Sequence, residues 1–169
     1  MAEAGSRLTL GYWPIRAGPR GSINRHILYY KGVDFEDLKH SPESWNAVKT
    51  SGVLEFPNLP YIIDGDVKLT ESKAVTLYLC EKFAPELLGS TVAEKGKVLM
   101  LQNVMADYFM GVAGMTFSNE DRDACIEKAM TTIAPIAAAL GENDYFVGSG
   151  LTFIDLTMWE ICETINGLC

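Results

Sequence analysis

Cysteine and histidine are the side chains best suited to nucleophilic, redox and metal chemistry, and their spacing here speaks against all three. Cys80, Cys125, Cys162 and Cys169 lie far apart, with no CxxC pair and no zinc-site rhythm. His26 and His40 are the only imidazoles, too few for a histidine-rich metal site or a nucleophile–base pair. The cysteines are expected to pack as small hydrophobes, except Cys169, which as the last residue is expected to be exposed and open to crosslinking. Neither GxGxxG nor GxxxxGKS/T occurs, so the phosphate cradles of dinucleotide and nucleoside triphosphate sites are missing. Other polar residues stand at telling places. Tyr12 closes the first apolar run, Trp45 and Lys49 are four apart, and Glu71-Ser72 open a helical pattern.

The elements that must hold these residues alternate through the first half. Leu8, Leu10 and Tyr12 recur at period two, a short strand. A loop with Pro14, Gly18, Pro19 and Gly21 follows, then Ile23, Ile27, Leu28 and Tyr30 near helical spacing, stopped by Gly32. Val33–Phe35 resumes strand character, and the polar segment Ser41–Gly52 reads as a short irregular helix. In Leu59-Pro-Tyr-Ile-Ile-Asp-Gly-Asp-Val-Lys-Leu69, two apolar runs flank Asp64-Gly65, a hairpin-turn dipeptide. Ser72 then precedes Ala74, Val75, Tyr78, Leu79 and Phe83 as an N-cap would. The order β-α-β-α-β-β-α over residues 7–84 predicts a mixed four-stranded sheet with helices, an α/β thioredoxin-like domain with a right-handed crossover.

The second half carries helical signals only. After a linker at 84–90, Val98, Leu101, Met105 and Tyr108 form one stripe. Ile126, Met130, Ile133, Ala137 and Leu140 form a second, with Pro135 expected to kink it. Thr152-Phe-Ile-Asp155 is a capping-box variant opening a third helix. The expected domains are 1–84, a linker at 85–90, and an all-helical domain over 91–169.

Composition narrows the class. With 14 Lys+Arg against 22 Asp+Glu, the formal charge of −8 disfavours a nucleic-acid partner. No apolar run approaches the roughly 18 residues of a membrane span, and the N-terminus lacks the apolar block of a secretory signal. A cytoplasmic globular protein is expected, at 48% hydrophobic residues.

Three motifs, Gly11-Tyr-Trp-Pro-Ile-Arg16, Phe56-Pro-Asn-Leu-Pro-Tyr-Ile-Ile-Asp-Gly-Asp-Val-Lys-Leu-Thr-Glu-Ser72 and Leu151-Thr-Phe-Ile-Asp155, resemble the cytosolic glutathione transferases, the mu-like class most closely. The resemblance implies conjugation of the glutathione thiolate to small apolar electrophiles. Glutathione is then a co-substrate, with no bound cofactor and no metal. Lowering a thiol pKa from about 8.5 to about 7 takes roughly 2 kcal/mol, about what one charge-assisted hydrogen bond supplies. The resemblance gives that donor role to Tyr12, whose alternative is an ordinary strand tyrosine.

The same resemblance implies a cis Leu59–Pro60 peptide that presents the Leu59 backbone to the cysteinyl part, the alternative being an extended proline entering the hairpin. Ser72 would meet the γ-glutamyl carboxylate at a helix N-terminus, or serve only as a cap, and Glu71 would face the ammonium. Trp45 and Lys49 match positions that hold the glycyl end, and Trp13 and Asn58 fall within matched glutathione-binding motifs. Asp107 matches an acid that reaches the neighbouring subunit's glutathione. Phe56 matches the residue inserted into a partner subunit, implying a two-fold homodimer. Phe117 falls in the electrophile pocket, where mu-like enzymes often have tyrosine. Relative to the family, the helical half is expected to stop early, without the last helices. That motivates the alternative of a non-catalytic transferase-like binding or assembly subunit. A glutathione-dependent isomerase or peroxidase would differ only in the second pocket. A thiol–disulfide oxidoreductase would need a cysteine that Tyr12-Trp-Pro-Ile lacks.

Overall fold

The computed structural model describes residues 7–15, 20–116 and 122–168. The period-two run Leu8–Tyr12 is strand β1, and α1 spans Ser22–Tyr30. Strand β2 (Phe35–Lys39) pairs parallel with β1, from Leu8 opposite Phe35 to Tyr12 opposite Lys39. Strand β3 (Tyr61–Asp64) runs antiparallel to β1 and pairs through a hairpin with β4 (Val67–Thr70). Gly65 turns that hairpin at φ +61, a conformation glycine adopts without a Cβ clash. The sheet order is β2-β1-β3-β4, the thioredoxin-like arrangement. Helix α3 spans Ser72–Phe83 and packs on α1, where Thr76 Oγ1 donates to Asn24 Oδ1 at 2.9 Å. Leu10, Ile27, Leu28, Ile62, Val75 and Leu79 are fully buried in this unit.

Two local expectations differ from the structure. The segment after β2 is a regular helix, α2 (Pro42–Thr50), with no fully buried residue. A capping box replaces the missing apolar signal: Ser44 N–H donates to Ser41 Oγ and Ser41 N–H to Ser44 Oγ, with Pro42 opening the helix. At α3, Glu71 occupies the N-cap position and Ser72 is the first helical residue; no side chain caps this end. The apolar pattern located the helix to within one residue, and the unusual backbone at Glu71 moved the cap.

The chain divides into two compact units that part after Ala84. The segment read as a linker carries a 3-10 turn, Pro85–Leu88, with Leu87 and Leu88 buried. Helices α4 (Val92–Thr116), α5 (Arg122–Leu140) and α6 (Phe153–Leu168) form the second unit. Val98, Leu101, Met105 and Tyr108 are buried along α4, as their spacing predicts. On α5 the stripe is turned from the expected one. Cys125, Ala129, Ile133 and Ile136 are buried, and Met130 is 54% exposed. Helix α5 is apolar nearly all round, so periodicity alone does not choose a face. Packing chooses it: Tyr108 Oη donates to the Ala129 carbonyl at 2.9 Å. Burial and the neighbouring Cys162 push that hydroxyl up to about 12, which keeps it a donor. Pro135 lies inside α5 without ending it. Asp155 caps α6 by accepting from the Thr152 N–H and hydroxyl, each at 2.8 Å, and from the Phe146 N–H at 3.0 Å.

Among the described cysteines, Cys80 and Cys125 are buried and Cys162 is half-buried. Burial raises the Cys162 thiol pKa, which makes it a poor nucleophile. Cys169 lies outside the described residues.

Candidate active site

Tyr12 ends β1 and is buried, its ring lying where a side chain on Gly21 would stand. A Cβ built on Gly21 falls 2.1 Å from Tyr12 Cδ1. The Arg25 guanidinium carbon is 5.8 Å from the ring centroid. Burial pushes the Tyr12 hydroxyl above its ordinary value of 10.0, against a smaller opposing pull from Arg20 and Arg25. The group is therefore protonated at neutral pH and able to donate. No hydrogen bond among the described residues uses its hydroxyl.

The sequence reading overlooked Arg25. It is 8% exposed, and its Nε donates to Asp37 Oδ1 at 2.9 Å and its Nη2 to the Trp13 carbonyl at 3.4 Å. A buried cation needs such partners. Here they tie α1 to β2 and to the chain just past Tyr12. The available signal was an arginine set among the apolar residues of α1, with an acid on the strand that follows.

Tyr12, Leu54, Leu59 and Tyr61 form one buried cluster, with Trp13, Trp45, Val48, Val53 and Ile63 packed against it. Trp13, Trp45 and Leu59, all expected at one site, thus meet around Tyr12. Lys49 lies one turn beyond Trp45 on α2 and is exposed. The Leu59–Pro60 peptide is cis. The Leu59 N–H donates to Asn58 Oδ1 at 2.9 Å, so a ligand pairing with that N–H must displace the Asn58 side chain. Asn58 Nδ2 in turn donates to Glu71 Oε1 at 2.6 Å.

Glu71 is the only non-glycine residue at positive φ among the described residues, at φ +69 and ψ 117. Such backbone costs on the order of 1–3 kcal/mol and gathers at functional sites. It places the first-turn N–H groups of α3 beside Ser72 with no protein side chain capping them, a setting suited to a carboxylate.

His40, one of two imidazoles too few for a metal site or a nucleophile–base pair, is 5% exposed and bonded on both ring nitrogens. Nε2 is 3.0 Å from Tyr61 Oη and Nδ1 is 3.1 Å from Ser44 Oγ. Its partners come from β3 and α2, out of reach of local spacing. Tyr61 in turn lies against Gly11, where a Cβ would be 2.2 Å from its ring.

Phe56, shortly before Leu59, is 70% exposed. Asp107 is exposed on α4, in the helical unit. Phe117 lies outside the described residues. Among the described residues, no helix is long and apolar enough to cross a membrane, and no group of three or more His, Cys, Asp or Glu is placed to hold a metal ion.

Comparison with known proteins gives this geometry a family. Residues 8–81 match the family model for the glutathione S-transferase N-terminal domain. The chain is 34% identical over 167 residues to glutathione S-transferase 2 of Gallus gallus, covering 92% of this chain and 74% of that one. It is 32% identical to glutathione S-transferase Mu 4 of Mus musculus, covering 92% and 75%. A nematode-specific transferase of C. elegans superposes with a TM-score of 0.76 at 27% identity, over 95% of this chain and 82% of that one. With relatives of this identity covered over about three quarters of their length, the chain belongs to the glutathione S-transferase family, transferases that use glutathione as co-substrate.

Proposed function

We propose that the chain joins the glutathione thiolate to small apolar electrophiles, with Tyr12 as the catalytic hydrogen-bond donor. The observation that carries this reading is a buried, protonated tyrosine hydroxyl at the end of β1, uncommitted among the described residues. Donation to a thiolate is charge-assisted and is worth about 1.5–3 kcal/mol, enough to lower the thiol pKa by more than one unit. The sulfur is then a nucleophile at neutral pH. It displaces a leaving group or adds to an electrophilic carbon, with no covalent enzyme intermediate and no metal.

The rest of the tripeptide is read as follows. The backbone of Leu59, before cis-Pro60, pairs with the cysteinyl part once Asn58 releases its N–H. Ser72 and the free first-turn amides of α3 receive the γ-glutamyl carboxylate, and Glu71 faces the ammonium. Trp45 and Lys49 hold the glycyl carboxylate from α2, with Lys49 supplying charge, while Trp13 walls the site. Residues 1–84 act as the glutathione-binding domain, 85–90 as the connector and 91–169 as the helical domain, which carries Phe117 of the electrophile pocket and Asp107, read as reaching the neighbouring subunit's glutathione. Phe56 is read as the contact to a second copy in a homodimer, which gives an exposed loop phenylalanine a partner. A cytosolic setting suits Cys80, Cys125 and Cys162, which form no disulfide and which reducing compartments keep as thiols.

Turnover of a chloronitroarene, measured beside retention on immobilised glutathione, tests the reading. Retention with turnover that falls at least tenfold in Tyr12→Phe is expected. Retention without turnover would replace the transferase reading with a glutathione-binding subunit.

A further inference from the structure

His40 stands where three glutathione-facing parts of the N-terminal unit meet. Its backbone N–H donates to the Tyr12 carbonyl at 2.9 Å, so it is fastened to the end of β1. Nε2 reaches Tyr61 on β3, the residue after cis-Pro60, and Nδ1 reaches Ser44 on α2. Its ring lies 6.0 Å from the Trp45 ring and 5.7 Å from the Tyr61 ring, and those two stack at 6.3 Å. A neutral imidazole offers one donor and one acceptor, matching two hydroxyl partners in either tautomer.

Helix α2 needs such a fastening. It has no fully buried residue, and only Trp45 and Val48 are half-buried on it. Helices are normally held by an apolar face. Here the apolar face is thin, and the polar bond from His40 enters at Ser44, the residue that also closes the capping box and precedes Trp45. An apolar side chain would fill the same space with no polar groups to satisfy. Two directed bonds add orientation, which packing alone does not fix.

We propose that His40 is a positioning residue for glutathione: it locks α2, and with it Trp45 and Lys49, onto β3 and the end of β1, so that the grip on the glycyl end is pre-formed. The inference rests on the reading that α2 holds that end of glutathione. His40 touches neither thiol nor electrophile in this account. It acts on glutathione binding and leaves the Tyr12 chemistry unchanged.

Steady-state kinetics with each substrate varied in turn, together with the pKa of the bound thiol, distinguish this from a general structural role. His40→Phe is expected to raise the glutathione KM about tenfold, the worth of one such bond. The electrophile KM, the bound-thiol pKa and kcat at saturating glutathione should stay at wild-type values. His40→Gln, which keeps a donor and an acceptor, should recover most of the affinity. Tyr61→Phe removes one partner while keeping the ring, and should raise the glutathione KM about threefold. That variant carries the test if His40→Phe does not fold. An unchanged glutathione KM in the variants that fold would overturn the proposal, as would an equal loss in both substrates' KM or no rescue by glutamine. Trp45→Ala separates the two levels. If it raises the glutathione KM and His40→Phe does not, only the positioning role falls. If Trp45→Ala also leaves it unchanged, the assignment of α2 falls and the proposal with it.

Discussion

Gly21→Ala is the substitution that bears most directly on how Tyr12 is held. Gly21 has φ −119 and ψ −30, a backbone any residue adopts. On backbone grounds alone alanine should stabilise the protein by about 0.4–1 kcal/mol, through the unfolded chain. The packing says the opposite. The new methyl would lie 2.1 Å from Tyr12 Cδ1, 2.2 Å from Cγ and 2.5 Å from Cε1, the near side of a ring with little freedom to step aside. Restoring ordinary contact requires the ring to recede by more than about 1 Å, and a misplacement of even 1 Å can cost a reaction on the order of 100-fold. Overpacking itself costs about 1–3 kcal/mol, which in a chain of this size lowers the Tm by roughly 2–12 °C. The expected outcome is a kcat/KM reduced about 100-fold and a bound-thiol pKa moved towards that of free glutathione. Glutathione affinity should be largely kept, because Trp45, Lys49 and Ser72 are undisturbed. Thermal melts and conjugation kinetics on purified Gly21→Ala read all of this. A variant that melts higher than wild type and turns over normally would refute the placement of the Tyr12 ring.

Other perturbations test the frame around the site. Glu71→Gly should be more stable than Glu71→Ala by about 1 kcal/mol, and so melt higher, because glycine relieves the positive φ and alanine does not; equal Tm values would contradict the strain. Arg25→Met leaves Asp37 without its main partner and should destabilise by about 3–5 kcal/mol in urea unfolding, with Arg25→Met/Asp37→Leu recovering much of the loss. Burial lowers the His40 pKa below 6.5. The neutral form is favoured in the folded state, so its contribution is complete above pH 6.5. As pH falls below that value the unfolded chain takes up the proton first, and stability is lost. Wild type should therefore lose more Tm than His40→Phe between neutral pH and pH values below that range.

The elements that read correctly from sequence are those whose signal is local. Leu8, Leu10 and Tyr12 announce a strand by period two, and Asp64-Gly65 marks a hairpin because few dipeptides supply its backbone. The cis Leu59–Pro60 peptide is implied by a motif long enough to be specific, and Trp13 and Trp45, which pack with Leu59 and Tyr12, by their family positions. Helix α2 reads as irregular in the sequence because its stability lies in a capping box and a half-buried tryptophan. The face of α5 was misjudged by one residue because alanine, isoleucine and methionine occur on every side of it. The roles of Arg25 and His40 are hard to read for a further reason. Their partners lie 12 and 21 residues away, and only the sheet brings Asp37 and Tyr61 to them. Buried polar pairs of this kind carry no periodic signature.

The central claim is that the Tyr12 hydroxyl stabilises the thiolate of bound glutathione, and a titration of that thiol measures it directly. Ultraviolet difference spectra of the enzyme–glutathione complex across pH report the thiolate fraction in wild type and in Tyr12→Phe. The account predicts a bound-thiol pKa near 7 in wild type and about 8.5 in Tyr12→Phe, a difference worth roughly 2 kcal/mol, with glutathione still bound. A Tyr12→Phe complex whose thiol still titrates near 7 would contradict it.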